Sequence, residues 1–214
     1  MVWGILLGLG VASWAGELDA LVAKIQQAYE QTPALSAEFV QVTTLSALNR
    51  QQTSSGRLYL AKPHYVRWEY TAPEAQTVLY DGETLQIYTP RRKQVLRSAV
   101  PESERTGVAL LFLAGVGKLQ EAFVITPLPT QEAGREWLRL EPRMPQAGFT
   151  ELHIAVNAQT SLIEQLRILD PIGNVTEIRL SAVQRHASLP ARTFALTLPP
   201  DTEILTPADI RGPR

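Results

Sequence analysis

From Leu35 almost to the C-terminus, apolar residues recur at every second position in short segments broken by Pro, Gly or Asp, as in Phe39-Val40-Gln41-Val42-Thr43-Thr44. A period of two marks a strand with one face on a core, because successive side chains point to opposite sides of a sheet. Candidate strands fall at 57–61, 65–70, 76–80, 84–88 and 94–98, and again at 122–125, 136–141, 150–157, 162–169, 175–181 and 193–198. Roughly eleven or twelve strands result, joined by connections short enough for hairpins, so the sheet is a mostly antiparallel meander. At Asp81-Gly82 the pattern predicts a type I′ turn, whose two central residues both need positive φ.

Ahead of the strands the period is different. Starting at Glu17, Leu18, Leu21, Val22, Ile25 and Tyr29 fall on one helical stripe, with Lys24, Gln26 and Gln27 on other faces, and the pattern stops near Thr32-Pro33. A second helix is predicted after Pro101: Glu102, Ser103 and Glu104 supply capping and acidic groups, and 108–113 is unbroken apolar sequence until Gly115. The fold class is therefore α+β, mostly β. Two readings of the helices stand open: they plug the core of the sheet, or they form a lid over an apolar cavity.

The first fifteen residues carry no charged side chain and end in Ser13-Trp14-Ala15, the form of a secretory signal cleaved after Ala15. Fifteen helical residues reach only ~22 Å, short of a ~30 Å hydrocarbon core, which speaks against an anchor. The expectation is residues 1–15 as signal peptide, a single domain over 16–214, and a periplasmic location. With no Cys there can be no disulfide, thiolate metal site, Cys nucleophile or lipid-attachment site. The 20 Lys and Arg against 21 Asp and Glu provide no broad basic face, so nucleic acid is not an expected partner.

His64, His153 and His186 are far apart and lack metal-ligand spacing, and the chain has no G-x-S-x-G elbow or phosphate-binding loop. Gly115-Val116-Gly117 reads as a helix stop. No catalytic residue, metal or cofactor is expected. Arg91-Arg92-Lys93 at a hairpin tip is either a solvated turn or a docking patch for an acidic partner or anionic headgroups.

Several segments together resemble one family. They are Phe39-Val40-Gln41, then Gly56-Arg57-Leu58-Tyr59-Leu60-Ala61-Lys62-Pro63-His64-Tyr65-Val66-Arg67-Trp68-Glu69-Tyr70, Pro73, Tyr80-Asp81-Gly82, Tyr88-Thr89-Pro90 and Gln94-Val95. With the apolar stretch 108–113 and Phe194-Ala195-Leu196-Thr197-Leu198-Pro199-Pro200, their order and spacing are similar to those of the outer-membrane lipoprotein carrier (LolA-like) family. The resemblance implies an incomplete, open antiparallel β-barrel of about eleven strands, with a helical lid enclosing a hydrophobic cavity. It also implies a non-enzymatic, monomeric carrier that takes acylated lipoproteins from an inner-membrane ABC transporter to an outer-membrane receptor.

On this reading the lipid-contacting set is Leu18, Leu21, Val22 and Ile25 of the first helix, Leu110 and Leu111 of the second, and Phe39, Leu58, Leu60, Val66, Trp68, Leu79, Leu85 and Ile87 of the wall. Lys62 stands where the family usually has an Arg credited with tying the lid to the barrel. A rival reading keeps the half-barrel and changes the cargo to free lipids or envelope polymers, carried or sensed.

Overall fold

The computed structural model describes residues 10–100, 119–129, 132–146 and 148–210. The alternating segments become β1 (Ala34–Leu45), β2 (Arg50–Ala61), β3 (Tyr65–Ala72), β4 (Gln76–Tyr80), β5 (Thr84–Thr89) and β6 (Gln94–Ala99), then β7 (Phe123–Leu128), β8 (Arg135–Pro142), β9 (Glu151–Asn157), β10 (Ile163–Leu169), β11 (Val175–His186) and β12 (Glu203–Leu205). All twelve lie in one sheet, ordered β12-β6-β5-β4-β3-β2-β1-β11-β10-β9-β8-β7, with β12 and β7 at its two edges. The sheet is open, and every pairing among the described residues is antiparallel except β12 with β6. Helix α1 (Gly10–Glu30) covers one face, and α2 (Leu119–Ala122) and α3 (Pro207–Ile210) are single turns.

Side chains of directly paired residues share a face, so the register sorts the strands into two sides. Leu35, Ala37 and Phe39 of β1 meet Leu60, Leu58 and Gly56 of β2, and Leu58 and Leu60 meet Trp68 and Val66 of β3. On the other wing Leu166 pairs with Ile178 and Ile154, and Leu138 with Ile154. These buried residues and the Val22, Ile25, Tyr29 stripe of α1 form one core. Phe39 locks it by edge-on contacts with Trp68 (4.6 Å between ring centres) and Tyr70 (5.0 Å), a geometry favoured by the ring quadrupoles.

Opposite Phe39 the partner is Gly56, at a register shift between β2 and β3. A Cβ there would sit 2.0 Å from the carbonyl oxygen of Glu69, so no larger residue fits without moving backbone.

Four expectations need correction. Residues 193–198 are not a strand: Ala191–Phe194 is a 3-10 turn and the chain after it is irregular. Pro190 and Pro199-Pro200 bracket the segment, and Arg67 Nη1 donates to the Thr193 and Ala195 carbonyls, both at 3.1 Å, in place of a ladder. The chain pairs later, as β12, a three-residue strand too short for its period to show.

The β4–β5 turn is not type I′, because only Gly82 (φ +103°) has positive φ. Asp81 Oδ1 instead accepts the N–H groups of Glu83 (3.0 Å) and Thr84 (2.7 Å), an Asx turn. Helix α1 begins at Gly10, ahead of the predicted start at Glu17. Leu79 lies on the far face of the sheet from Trp68, because it pairs with Arg67 while Trp68 pairs with Val78. The stretch 108–113, with Leu110 and Leu111, lies outside the described residues.

Candidate functional site

The face of the sheet that α1 covers is the chemically distinctive one. Phe39, Leu58, Leu60, Val66 and Trp68 are each at most 4% exposed, and Leu85 and Ile87 of β5 continue the same face with partial exposure. Leu85 pairs with Tyr80 and Ile87 with Val78, which places both on the Trp68 side. Leu79, though buried, belongs to the other face with Tyr59 and Arg67.

Helix α1 packs over the Trp68 face, and its described side chains are unequally buried. Val22, Ile25 and Tyr29 toward its C-terminus are nearly inaccessible, while Leu18 and Leu21 toward its N-terminus are only partly buried. Its C-terminal turn is held from two sides. Lys62 Nζ, from the β2–β3 connection, donates to the main-chain carbonyl of Glu30, and the Lys62 N–H donates to the Pro33 carbonyl at 2.9 Å. A cation at the last carbonyls of a helix is favoured by the free acceptors and by the helix dipole. From the other wing, the Ile163 N–H donates to the Tyr29 hydroxyl at 3.1 Å. Burial, opposed by that bond and by the charge of Arg185, pushes the Tyr29 phenol up to about 12.

One polar atom of this buried face is unmatched. Trp68 Nε1, buried with its ring, has no hydrogen-bond partner among the described residues. Buried N–H groups are nearly always paired, so this one is an exception.

The outer face is polar. A groove of about 450 Å³ runs across β8 to β11 past Trp137, His153, Arg167, Glu177 and Arg179, and another of about 520 Å³ lies between Arg67, Tyr88 and the 192–197 segment. Burial raises the carboxyl of Glu151, but hydrogen bonds and charge from Arg139 and His153 outweigh it and hold the group below the usual carboxylate range. This network joins the outer faces of β8 and β9, with Arg139 Nε buried and left without a partner among the described residues.

At the β5–β6 tip, Arg91 and Arg92 are exposed and unpaired with any carboxylate among the described residues. Lys93, expected to act with them, is bridged to Asp201, and its carbonyl accepts the Glu203 N–H at 2.8 Å. It fastens β12 to the sheet, so the free charge of the tip is two, not three. What sequence reasoning missed is Tyr29 as a polar anchor and the Trp68 N–H, for neither has a local signature.

A model of the outer membrane lipoprotein carrier protein LolA family matches residues 30–197. An outer-membrane lipoprotein carrier protein of Bordetella avium is 33% identical, over 88% of this chain and 85% of its own length. One from Chromobacterium violaceum is 30% identical over 86% and 87%. Among solved structures, an uncharacterized conserved protein from Thermus thermophilus superposes with a TM-score of 0.56 at 11% identity, covering 89% of this chain and 99% of that one. MucB superposes with a TM-score of 0.51 at 12% identity, covering 89% and 66%. At these identities the two structures speak to the fold alone.

Proposed function

The chain belongs to the outer-membrane lipoprotein carrier family, and from that premise we propose that it shields lipoprotein acyl chains in the hollow between α1 and the inner face of the sheet. It carries them through the periplasm, with its signal removed after Ala15, from an inner-membrane ABC transporter to an outer-membrane receptor. The observation that carries the reading is the continuous apolar inner face from Phe39 to Ile87, beneath a helix whose Leu18 and Leu21 are only partly buried.

Moving one methylene out of water is worth about 0.8 kcal/mol, so a long acyl chain represents on the order of 10 kcal/mol and needs a container to cross water. The container must also empty. Closure of α1 competes with cargo for the same wall, and the Lys62 contact to Glu30 adds roughly 1 kcal/mol to the closed state at a solvent-facing position. The unmatched Trp68 N–H supplies a donor for an ester or amide carbonyl at the head of an acyl chain. Nothing in this role calls for bond making or breaking.

The test is direct. The purified chain, mixed with a detergent-solubilised triacylated lipoprotein and freed of detergent, should elute as a soluble complex. The same lipoprotein lacking its acyl groups should not bind, and equal binding of both forms would refute the reading.

A further inference from the structure

The most exposed large hydrophobic side chains among the described residues are Ile172 (81%), Met144 (71%) and Leu48 (70%). They are far apart in sequence, yet the topology gathers them. Leu48 sits between β1 and β2, Ile172 between β10 and β11, and Met144 between β8 and β9, and all three connections lie at the same end of the sheet. The strand order β2-β1-β11-β10-β9-β8 puts neighbouring tips about 10 Å apart, two strand spacings each.

The tips are tied down. The Ser46 N–H donates to Asn174 Oδ1 at 3.1 Å and the Ser46 hydroxyl donates to the Gly173 carbonyl, joining the first two tips. Asp170 takes the N–H groups of Ile172 (3.0 Å) and Asn174 (2.7 Å), which fixes the turn that presents Ile172. Buried Phe149 roots the third loop.

Beside the tips stand exposed arginines, and the carboxylate of Glu74 on the β3–β4 connection lies at the same end. Arg50, two residues after Leu48, and Arg143, next to Met144, are both exposed, with Arg143 Nε also donating to the Gln120 carbonyl at 3.0 Å. The nearby carboxylate of Asp170 is occupied by its own turn, and those of Glu141 and Glu151 are paired with Arg139. Exposed Arg91 and Arg92 lie at the same end, further back along the strands. Aliphatic tips separated by polar residues make a poor protein interface, whose centre is contiguous and dry. They suit a bilayer surface, where apolar side chains enter the acyl boundary while arginines remain with the headgroups.

We propose that this end of the sheet is a membrane-contact rim, with Leu48, Met144 and Ile172 inserting into an anionic bilayer and Arg50 and Arg143 holding its headgroups. The inference is independent of the hollow and does not require that lipoprotein be its cargo. The full chain should float with vesicles of one part phosphatidylglycerol to three of phosphatidylethanolamine at low salt, and only weakly with phosphatidylcholine. Replacing Leu48, Met144 and Ile172 together by Ser should weaken binding about a hundredfold or more, since each buried aliphatic contributes strongly. Arg50→Gln with Arg143→Gln should weaken it about thirtyfold at low salt and less at high salt. All five side chains are exposed, so circular dichroism and the thermal midpoint of the triple Ser variant should stay near those of the parent, and the double Gln variant should lose only the Arg143 bond to the Gln120 carbonyl. Ile172→Trp should show blue-shifted emission, quenched by brominated acyl chains. No vesicle binding, or binding unaffected by the triple Ser variant, overturns the rim; so does a triple Ser variant that loses cargo handover without any vesicle binding by the parent, which would assign the tips to a protein partner.

Discussion

The hydroxyl of Tyr29 accepts the main-chain N–H of Ile163 at 3.1 Å, linking the last turn of α1 to β10 through the core. The bond sits beside the register shift between Ile163 and Gln165, where the β9–β10 ladder is interrupted. It ties the covering helix to one wing of the sheet, as Lys62 ties it to the other.

Tyr29→Phe keeps the ring and strands the Ile163 N–H in an apolar site, so it should cost about 1 to 3 kcal/mol in urea unfolding. The pH profile adds a sign. Burial raises the folded phenol from 10.0 to about 12, so its stabilisation is complete below about pH 10 and lost as pH rises toward 12. Tyr29→Phe should therefore show a shallower decline across that window than the parent. An equal slope in both proteins would contradict a buried, neutral Tyr29.

Lys62→Met keeps an apolar stem and removes the donor to the Glu30 carbonyl. The closed position of α1 should weaken by roughly 1 kcal/mol, making cargo uptake about fivefold more favourable and handover correspondingly poorer. Lys62→Arg should restore both. A two-protein transfer assay measures this, and unchanged uptake and handover in Lys62→Met would remove Lys62 from the release step.

Gly56→Ala forces a methyl onto the Glu69 carbonyl at 2.0 Å and must push β2 and β3 apart. A loss of about 3 kcal/mol or more, or failure to fold, is expected. A thermal midpoint close to that of the parent would show that the bulge relaxes freely.

On the outer face, Glu151 is held below the ordinary carboxylate range, so its contribution to stability is present above the unfolded value of 4.5 and lost as pH falls below it. Glu151→Gln should flatten that acid limb without altering cargo binding, measured by urea midpoints across the acid range.

Much of this architecture is legible in the sequence because it is written in local periods. The strand 76–80 has the predicted bounds, and most other strands differ from their expected limits by a few residues at an end, where edge pairing extends the ladder beyond the alternation. The 193–198 segment misleads because Thr193-Phe194-Ala195-Leu196 alternates like a strand, yet its backbone groups are claimed by Arg67, 126 residues away in the case of Thr193. Leu79 misleads for a related reason: β4 is buried on both faces, and a strand apolar on both sides hides which side faces the hollow. Lys62 could be singled out only through the family resemblance, and the Tyr29 bond to Ile163, spanning 134 residues, leaves no local pattern. The rim of Leu48, Met144 and Ile172 becomes visible only once the strand order is known.

The central claim is that acyl chains occupy the inner face of the sheet, and β5 offers the sharpest test because its residues alternate between the two faces. A photoreactive phenylalanine analogue is placed in turn at Leu85, Gln86, Ile87 and Tyr88, and the chain is irradiated with a triacylated lipoprotein bound. The account predicts crosslinks from Leu85 and Ile87, on the Trp68 side, and none from Gln86 and Tyr88. Crosslinks of equal strength from all four positions, or from Gln86 and Tyr88 alone, would contradict it.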